Sequence, residues 1–247
     1  MSDQTATEFR RFSPWRVLAI ATNTLIDLAR QKVFYVLLLF ALVLIGSSVF
    51  MARFSFQQEF QILKDVSLGA MSIFTSLLAI VATARLIPQD IEDRTVYTIL
   101  AKPVPRYEYI LGKLCGVLFL LAISVAVMTV FFLTVLHFRE ESMIVDTERQ
   151  MSSALPGQLD DALKAIRASG FTNDLFLGVI VIFLRACLLA ALTLFISTFA
   201  TTNIFTVVVM VFIYFIGHLQ SIARDYWLQQ PHAGWIARGF LALVTLM

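Results

Sequence analysis

Residues 114–138 read LCGVLFLLAISVAVMTVFFLTVLHF, a run without Lys, Arg, Asp or Glu that begins after Lys113 and ends before Arg139. A helix rises about 1.5 Å per residue and the hydrocarbon core of a bilayer is about 30 Å thick, so roughly 20 such residues cross it. The run is long enough for a tilted spanning helix. It has no polar face to offer water, so the surface of a soluble domain is excluded. The same count places further spans at 33–52 and 66–84. From Leu175 the chain stays apolar to Leu219, too long for one crossing, and the polar break Thr201, Thr202, Asn203 divides it into spans at 175–198 and 204–219. The fold class is therefore all-α: a polytopic transmembrane helix bundle with five spans present. Composition agrees, with 59% hydrophobic residues, 15% charged and a mean hydropathy of +0.81, against about 25% charged in an ordinary soluble domain.

The basic residues give an orientation. Segment 1–32 holds Arg10, Arg11, Arg16, Arg30 and Lys32, and segment 85–113 holds Arg85, Arg94, Lys102, Arg106 and Lys113. Between the first two spans lie only Arg53 and Lys64, and in the loop 139–174 four basic residues are diluted among seven acidic ones. By the positive-inside rule the N-terminus and 85–113 are cytoplasmic and 139–174 lies outside. No small-residue cleavage site follows a short apolar core near the start, so no signal peptide is expected to be removed. The net charge of +2 gives no argument for a nucleic-acid partner. Cys115 and Cys187 both sit in apolar segments and read as small packing residues.

Two flanking segments carry more. Ser13-Pro14 is a helix start, with Ser able to cap backbone N–H groups and Pro tolerated in the first turn. At 100° per residue, Arg16, Asn23, Asp27 and Arg30 share one sector and Trp15, Leu18, Ala21, Leu25 and Leu28 the opposite half, while Ile20 breaks the pattern. Such a helix is expected at the membrane interface, lying among the headgroups or extending the first span. In the outer loop, Leu155, Leu159, Leu163 and Ile166 recur at helical spacing over 153–169, consistent with a short amphipathic helix or a solvated loop. After the fifth span, 220–247 ends in an apolar stretch from Gly239 to Met247 that is too short to cross a bilayer, which suggests an incomplete C-terminal span.

Segment 85–113 is the most distinctive: RLIPQDIEDRT from Arg85 to Thr95, then VYTILAKPVPR to Arg106, then YEYILGK to Lys113. Pro88 can open a brief helix with Asp90, Glu92 and Asp93 near its start, where carboxylates suit the helix dipole. Pro103 and Pro105 force an extended break before the next helix. The result is a stiff charged element hung between two spans, so that force applied to it reaches both.

On Asp90, Ile91, Glu92, Arg94, Thr95 and Tyr97, and on the Lys102-Pro103-Val104-x-Arg106 turn leading to Gly112-Lys113, the chain resembles the permease subunits of type-2 ABC transporters. That group includes the permease serving copper-site maturation of nitrous-oxide reductase. Ser197-Thr198 at the end of the fourth span extends the resemblance more weakly. It implies a coupling segment comprising Asp90, Glu92, Asp93, Arg94, Thr95, Lys102, Pro103 and Arg106, seated in a cleft of a separate ABC ATP-binding subunit. It also implies a permease dimer in the plasma membrane, in a bacterium the cytoplasmic membrane, with ATP and Mg bound by the partner and no cofactor in this chain. The family usually has six spans, so the sixth is expected to be missing.

The chain itself is not expected to be an enzyme. A phosphate-binding loop needs Gly-x-x-x-x-Gly-Lys followed by Ser or Thr, whereas Gly112-Lys113 is followed by Leu114 and preceded at the required position by Tyr107. His137, His218 and His232 lie in separate segments and none has a Cys at ligand spacing, so no metal site is expected. Arg185 is the one charge within a span at neutral pH. An ionised side chain at membrane depth costs at least about 2.5 kcal/mol, which points to the substrate path, a subunit interface, or bonding to carbonyls and to hydroxyls such as Ser124 or Thr129. The reading favoured throughout is a permease; the alternative is a non-transporting anchor or mechanotransmission subunit coupled to the same ATPase. A secondary transporter would need carboxylates near the midplane, and the five spans contain none.

Overall fold

The computed structural model describes residues 13–53, 59–92, 105–150, 163–164, 174–200 and 202–228. These form α1 (Pro14–Ala29), α2 (Lys32–Arg53), α3 (Glu59–Ala84), α4 (Leu86–Glu92), α5 (Arg106–Gln150), α6 (Asp174–Ser197) and α7 (Asn203–Leu228), with no strand among the described residues. Among the described residues, four apolar stretches are long enough to cross a membrane: Lys32–Phe50, Phe60–Asp90, Tyr107–Val145 and Asp174–Ser197. The apolar part of α7, Asn203–Leu219, is shorter, about 25 Å of helix at the standard rise, because Gln220, Arg224 and Asp225 follow it. The expected amphipathic helix over 153–169 and the apolar stretch 239–247 lie outside the described residues, apart from Leu163 and Lys164, which are helical.

α3 is the central element, packed against α2, α5, α6 and α7. Its apolar stretch is 56% buried, against 17% for that of α2. Two core clusters stack along it. Near the α4 end, Leu28, Phe34, Ala79, Leu86, Leu121 and Ala190 join six helices in one cluster; at the opposite end, Ile45, Leu63, Met71, Met128, Phe132 and Leu175 form the other. Lipid tails are as apolar as these side chains, so helix association rests on close packing rather than on the hydrophobic effect. Small residues make that packing possible. Thr75, Ala79 and Thr83 on α3 recur one turn apart, as do Ala186 and Ala190 on α6, and all five are fully buried.

α5 runs well past the expected end of its span at Arg139, continuing to Gln150. The residues beyond 138 favour this: His137 and Glu141 lie one turn apart at 3.4 Å, and Arg139, Glu140, Glu141 and Met143 are good helix formers. Met143 still packs on the core cluster at that end.

α1 is docked lengthwise on the base of α5. Val17, Ile20, Ala21 and Thr24 lie over Gly112 and Gly116, two glycines one turn apart. A Cβ on Gly112 would stand 2.7 Å from Ile20 Cβ, and one on Gly116 would stand 2.7 Å from both the Ala21 carbonyl oxygen and Thr24 Cβ. Ile20, which broke the amphipathic pattern, is thus a contact residue. The apolar half of α1 divides accordingly: Ala21 and Leu28 are buried, whereas Trp15 and Leu18, joined by Ile26, stay exposed. Asn23 and Asp27 on the polar face bond each other at 3.2 Å.

The contrast between glycines makes a test. Gly116→Ala places its methyl against a backbone oxygen that cannot turn aside, and should cost about 1–3 kcal/mol as overpacking. Gly69→Ala meets nothing within 4 Å and should be neutral or stabilising by about 0.5–1 kcal/mol through helix propensity. Thermal unfolding in detergent should place Gly116→Ala below the parent and Gly69→Ala level with it or above.

Candidate functional site

α3 and α4 are separated only by Arg85, and Pro88 explains the break. A helical residue at 88 would donate its N–H to the carbonyl of Ala84; Pro has none, and its ring excludes that carbonyl. The Ala84 oxygen instead accepts the hydroxyl of Ser197, at the last turn of α6, across 3.3 Å in a buried position. α4 resumes at once, with Gln89 N–H donating to the Arg85 carbonyl at 3.1 Å. It therefore begins at Leu86, two residues before Pro88, and both Leu86 and Pro88 are buried. The hinge of this short helix is pinned to α6.

A second attachment holds α4 to α5. The Asp90 carboxylate forms a salt bridge with the Lys113 ammonium and accepts the Tyr109 hydroxyl. Lys113 also donates to the Leu86 carbonyl at 3.3 Å and lies 5.4 Å from the centroid of the Tyr109 ring. The side chains of Lys113 and Asp90 are only 13% and 18% exposed, so this pair is screened much less than a surface pair. Asp90, expected on the coupling surface, is engaged within its own chain, where it ties α4 to α5.

The N-terminus of α1 is held beside the same base. Glu108, in the first turn of α5, is fully buried; its Oε1 accepts the Ser13 backbone N–H at 3.1 Å. Its Oε2 lies 3.4 Å from Arg16 Nε, within ion-pair range though without hydrogen-bond geometry. Ser13 is the N-cap residue, as its sequence suggested, but its hydroxyl makes no capping bond. The capping charge comes from Glu108, placed against the positive end of the α1 dipole. Neither Glu108 nor Tyr109 stood out in the sequence. The signal that was present is the pair Gly112 and Gly116, which marks close helix approach.

Of the remaining coupling residues, Glu92 is the last residue of α4 and Arg106 the first of α5. Asp93, Arg94, Thr95, Lys102 and Pro103 lie outside the described residues. Arg185 is far from this junction, midway along α6. It borders a cleft of about 280 Å³ with Ser76, Tyr214 and His218. Ser124 and Thr129, considered as its partners, donate to the carbonyls of Leu121 and Val125 in their own helix, at 2.9 and 2.7 Å. Cys115 and Cys187 are free thiols, and no cluster able to hold a metal occurs among the described residues.

Removing the Ser197 hydroxyl leaves a buried carbonyl unpaired, so Ser197→Ala should cost about 1–3 kcal/mol, seen as a lowered unfolding temperature. Asp90→Ala and Lys113→Ala should each destabilise, and the double variant should cost less than the sum of the two. A coupling energy of about 0.5–3 kcal/mol is expected for residues in one network; strict additivity would remove the second attachment of α4.

Residues 18–231, most of the chain, match the family described as ABC-2 family transporter protein. No curated protein matches the chain. With four helices able to cross a membrane and a short polar-ended helix fastened between two of them, the chain belongs to the ABC-2 family of transporter proteins as a multi-pass membrane component.

Proposed function

We propose that the chain is the permease subunit of an ABC transporter, forming the transmembrane pathway as one half of a permease dimer and driven by separate ATP-binding subunits. ATP and Mg belong to those partners. The observation that carries this reading is the double hold on α4: Ser197 of α6 bonds Ala84, where α3 bends into α4, and Lys113 and Tyr109 of α5 bond Asp90 of α4. A helix of two turns fastened to both neighbouring spans moves them when it is pushed. Closure of the ATPase dimer on ATP would displace α4, and α5 and α6 would follow as rigid rods. The exposed Gln89 and the charged residues that continue from Glu92 to Arg94 are the surface offered to the ATPase. The copper-maturation subgroup is supported by the motif from Asp90 to Arg106 leading to Gly112-Lys113.

The orientation that this requires puts α4 in the cytoplasm, with the end of α5 outside. In intact cells an impermeant maleimide should label Glu141→Cys, an exposed position, and spare Gln89→Cys until the membrane is opened. Labelling of Gln89→Cys in intact cells reverses the topology and removes the coupling argument.

Contact with the ATPase is tested by Glu92→Ala combined with Arg94→Ala. Loss of one member of a buried interfacial charge pair commonly costs about 2 kcal/mol or more. The double variant should reduce copurification of the ATP-binding subunit, or leave it bound with ATP hydrolysis no longer linked to transport. Glu140→Ala with Glu141→Ala, at the far end of α5, should do neither. Unchanged assembly and coupling in the Glu92 and Arg94 variant would sink the assignment.

A further inference from the structure

α6 is the most apolar helix of the bundle apart from one residue. Arg185 stands about 17 Å from the Asp174 end and 18 Å from the Ser197 end at 1.5 Å per residue, close to the middle of a core about 30 Å thick. It is exposed, and among the described residues it has no hydrogen-bond or salt-bridge partner. An Arg at this depth normally faces a wet cavity or an anion, because its burial in hydrocarbon is unfavourable.

The cleft it faces lies between α6 and α7, with Ser76 of α3 also in its lining. Tyr214 and His218 on α7 are one turn apart, their rings stacked with centroids 6.3 Å apart. They bring a phenol and an imidazole into the same cleft as the guanidinium. The rest of the lining is aliphatic, chiefly Leu188, Leu192 and Ile213. Among the described residues no carboxylate lines it, so the cleft presents a positive centre and two hydrogen-bonding rings beside an apolar wall. Its volume of about 280 Å³ is just below the range usual for small-molecule sites.

We infer that this cleft receives an anionic amphiphile, whose acidic group pairs with Arg185 and whose alkyl portion lies along Leu188, Leu192 and Ile213. The headgroup of a lipid resting in its own leaflet sits at the membrane surface, about 15 Å from the midplane. The anion that reaches Arg185 is therefore carried in by a molecule whose chain is soluble in the apolar cleft. Guanidinium suits it, since the planar fork pairs carboxylate or phosphate through two parallel bonds. Tyr214 supplies a hydroxyl donor on the opposite wall. The inference rests on the permease reading only in taking this ligand for the cargo; binding itself requires no ATPase.

The test uses the full chain in detergent with dansyl-undecanoate as probe, followed by fluorescence titration, and the methyl ester of the same probe as the uncharged control. The acid should bind saturably and the ester at least about tenfold more weakly, a difference of about 1.4 kcal/mol. Arg185→Gln should abolish that preference while leaving ester binding unchanged, and Arg185→Lys should restore most of it. Leu192→Trp, which fills the apolar wall, should weaken acid and ester together. Equal binding of acid and ester by the parent chain, or an unchanged preference in Arg185→Gln, overturns the proposal. So does spontaneous disulfide-linked dimer formation by Leu188→Cys with loss of probe binding, which would make the cleft an interface between two copies. Any of these results leaves the ATPase copurification experiment unaffected, so the two readings fail separately.

Discussion

The carbonyl of Ala84 is where the architecture of the α4 end of the bundle is decided. In hydrocarbon every backbone polar group needs an internal partner, and a Pro inside a spanning helix leaves one carbonyl without its N–H. Pro88 does this to Ala84, and the hydroxyl of Ser197 takes the vacant acceptor. The break between α3 and α4 is thus a bend with a fixed partner rather than a loose joint. Because that partner closes α6, the position of α4 relative to α6 is set by a hydrogen bond that costs about 1–3 kcal/mol to leave unmade. Asp90 and Lys113 then fix the other side of α4 to α5. Two helices that are distant in sequence, α5 and α6, thus meet at the bend and the seven residues of α4.

Docking of α1 follows from a different constraint at the same place. Gly112 and Gly116 remove two side chains from the face of α5, so that the backbone of α1 can approach to contact. The opening of α5 supplies Glu108, buried and aimed at the α1 N-terminus. A buried carboxylate is tolerable only when hydrogen-bonded or paired, and it is given both Ser13 N–H and the charge of Arg16. The same stretch of α5 therefore grips α1 with residues 108, 112 and 116 and α4 with residues 109 and 113. These two sets fall on neighbouring faces of one helix, offset by one residue, which is 100° of turn.

Much of the bundle was legible in the sequence because a membrane span is a composition signal, and charge-free runs of roughly 20 residues have few other readings. The expected spans at 33–52 and 66–84 lie within α2 and α3, and the one at 175–198 runs one residue past the end of α6. The extension of α5 beyond Arg139 was hidden, since apolar counting stops at the first charge while helix propensity does not. The coupling segment was recognised from its prolines and charges, yet the partner of Asp90 was not, because Lys113 lies twenty-three residues away across the Pro103 and Pro105 break. Tertiary pairing of that kind leaves no periodic trace. Glu108 was passed over for a similar reason: a Glu in a first helical turn is ordinary, and only the structure shows that it is buried against another helix.

α6 joins the two parts of the molecule that carry functional proposals. Ser197 at its end is bonded to the α4 hinge, and Arg185, three turns back, faces the cleft with α7. The segment between them contains neither Pro nor Gly, the usual causes of a kink. It also presents Ala186, Ala190, Thr193 and Leu194 to the core, so it is held along its length by packing. A helix of that kind transmits rotation and translation from one end to the other without local bending. Displacement of α4 by an ATPase would therefore alter the cleft through α6 directly, while α7, which follows α6 in the chain, would be carried with less constraint because many of its apolar side chains between Ile204 and Leu219 are exposed. Relative movement of α6 against α7 is the motion that opens or closes a cleft between them, and it places Arg185 on the driven side and Tyr214 and His218 on the following side.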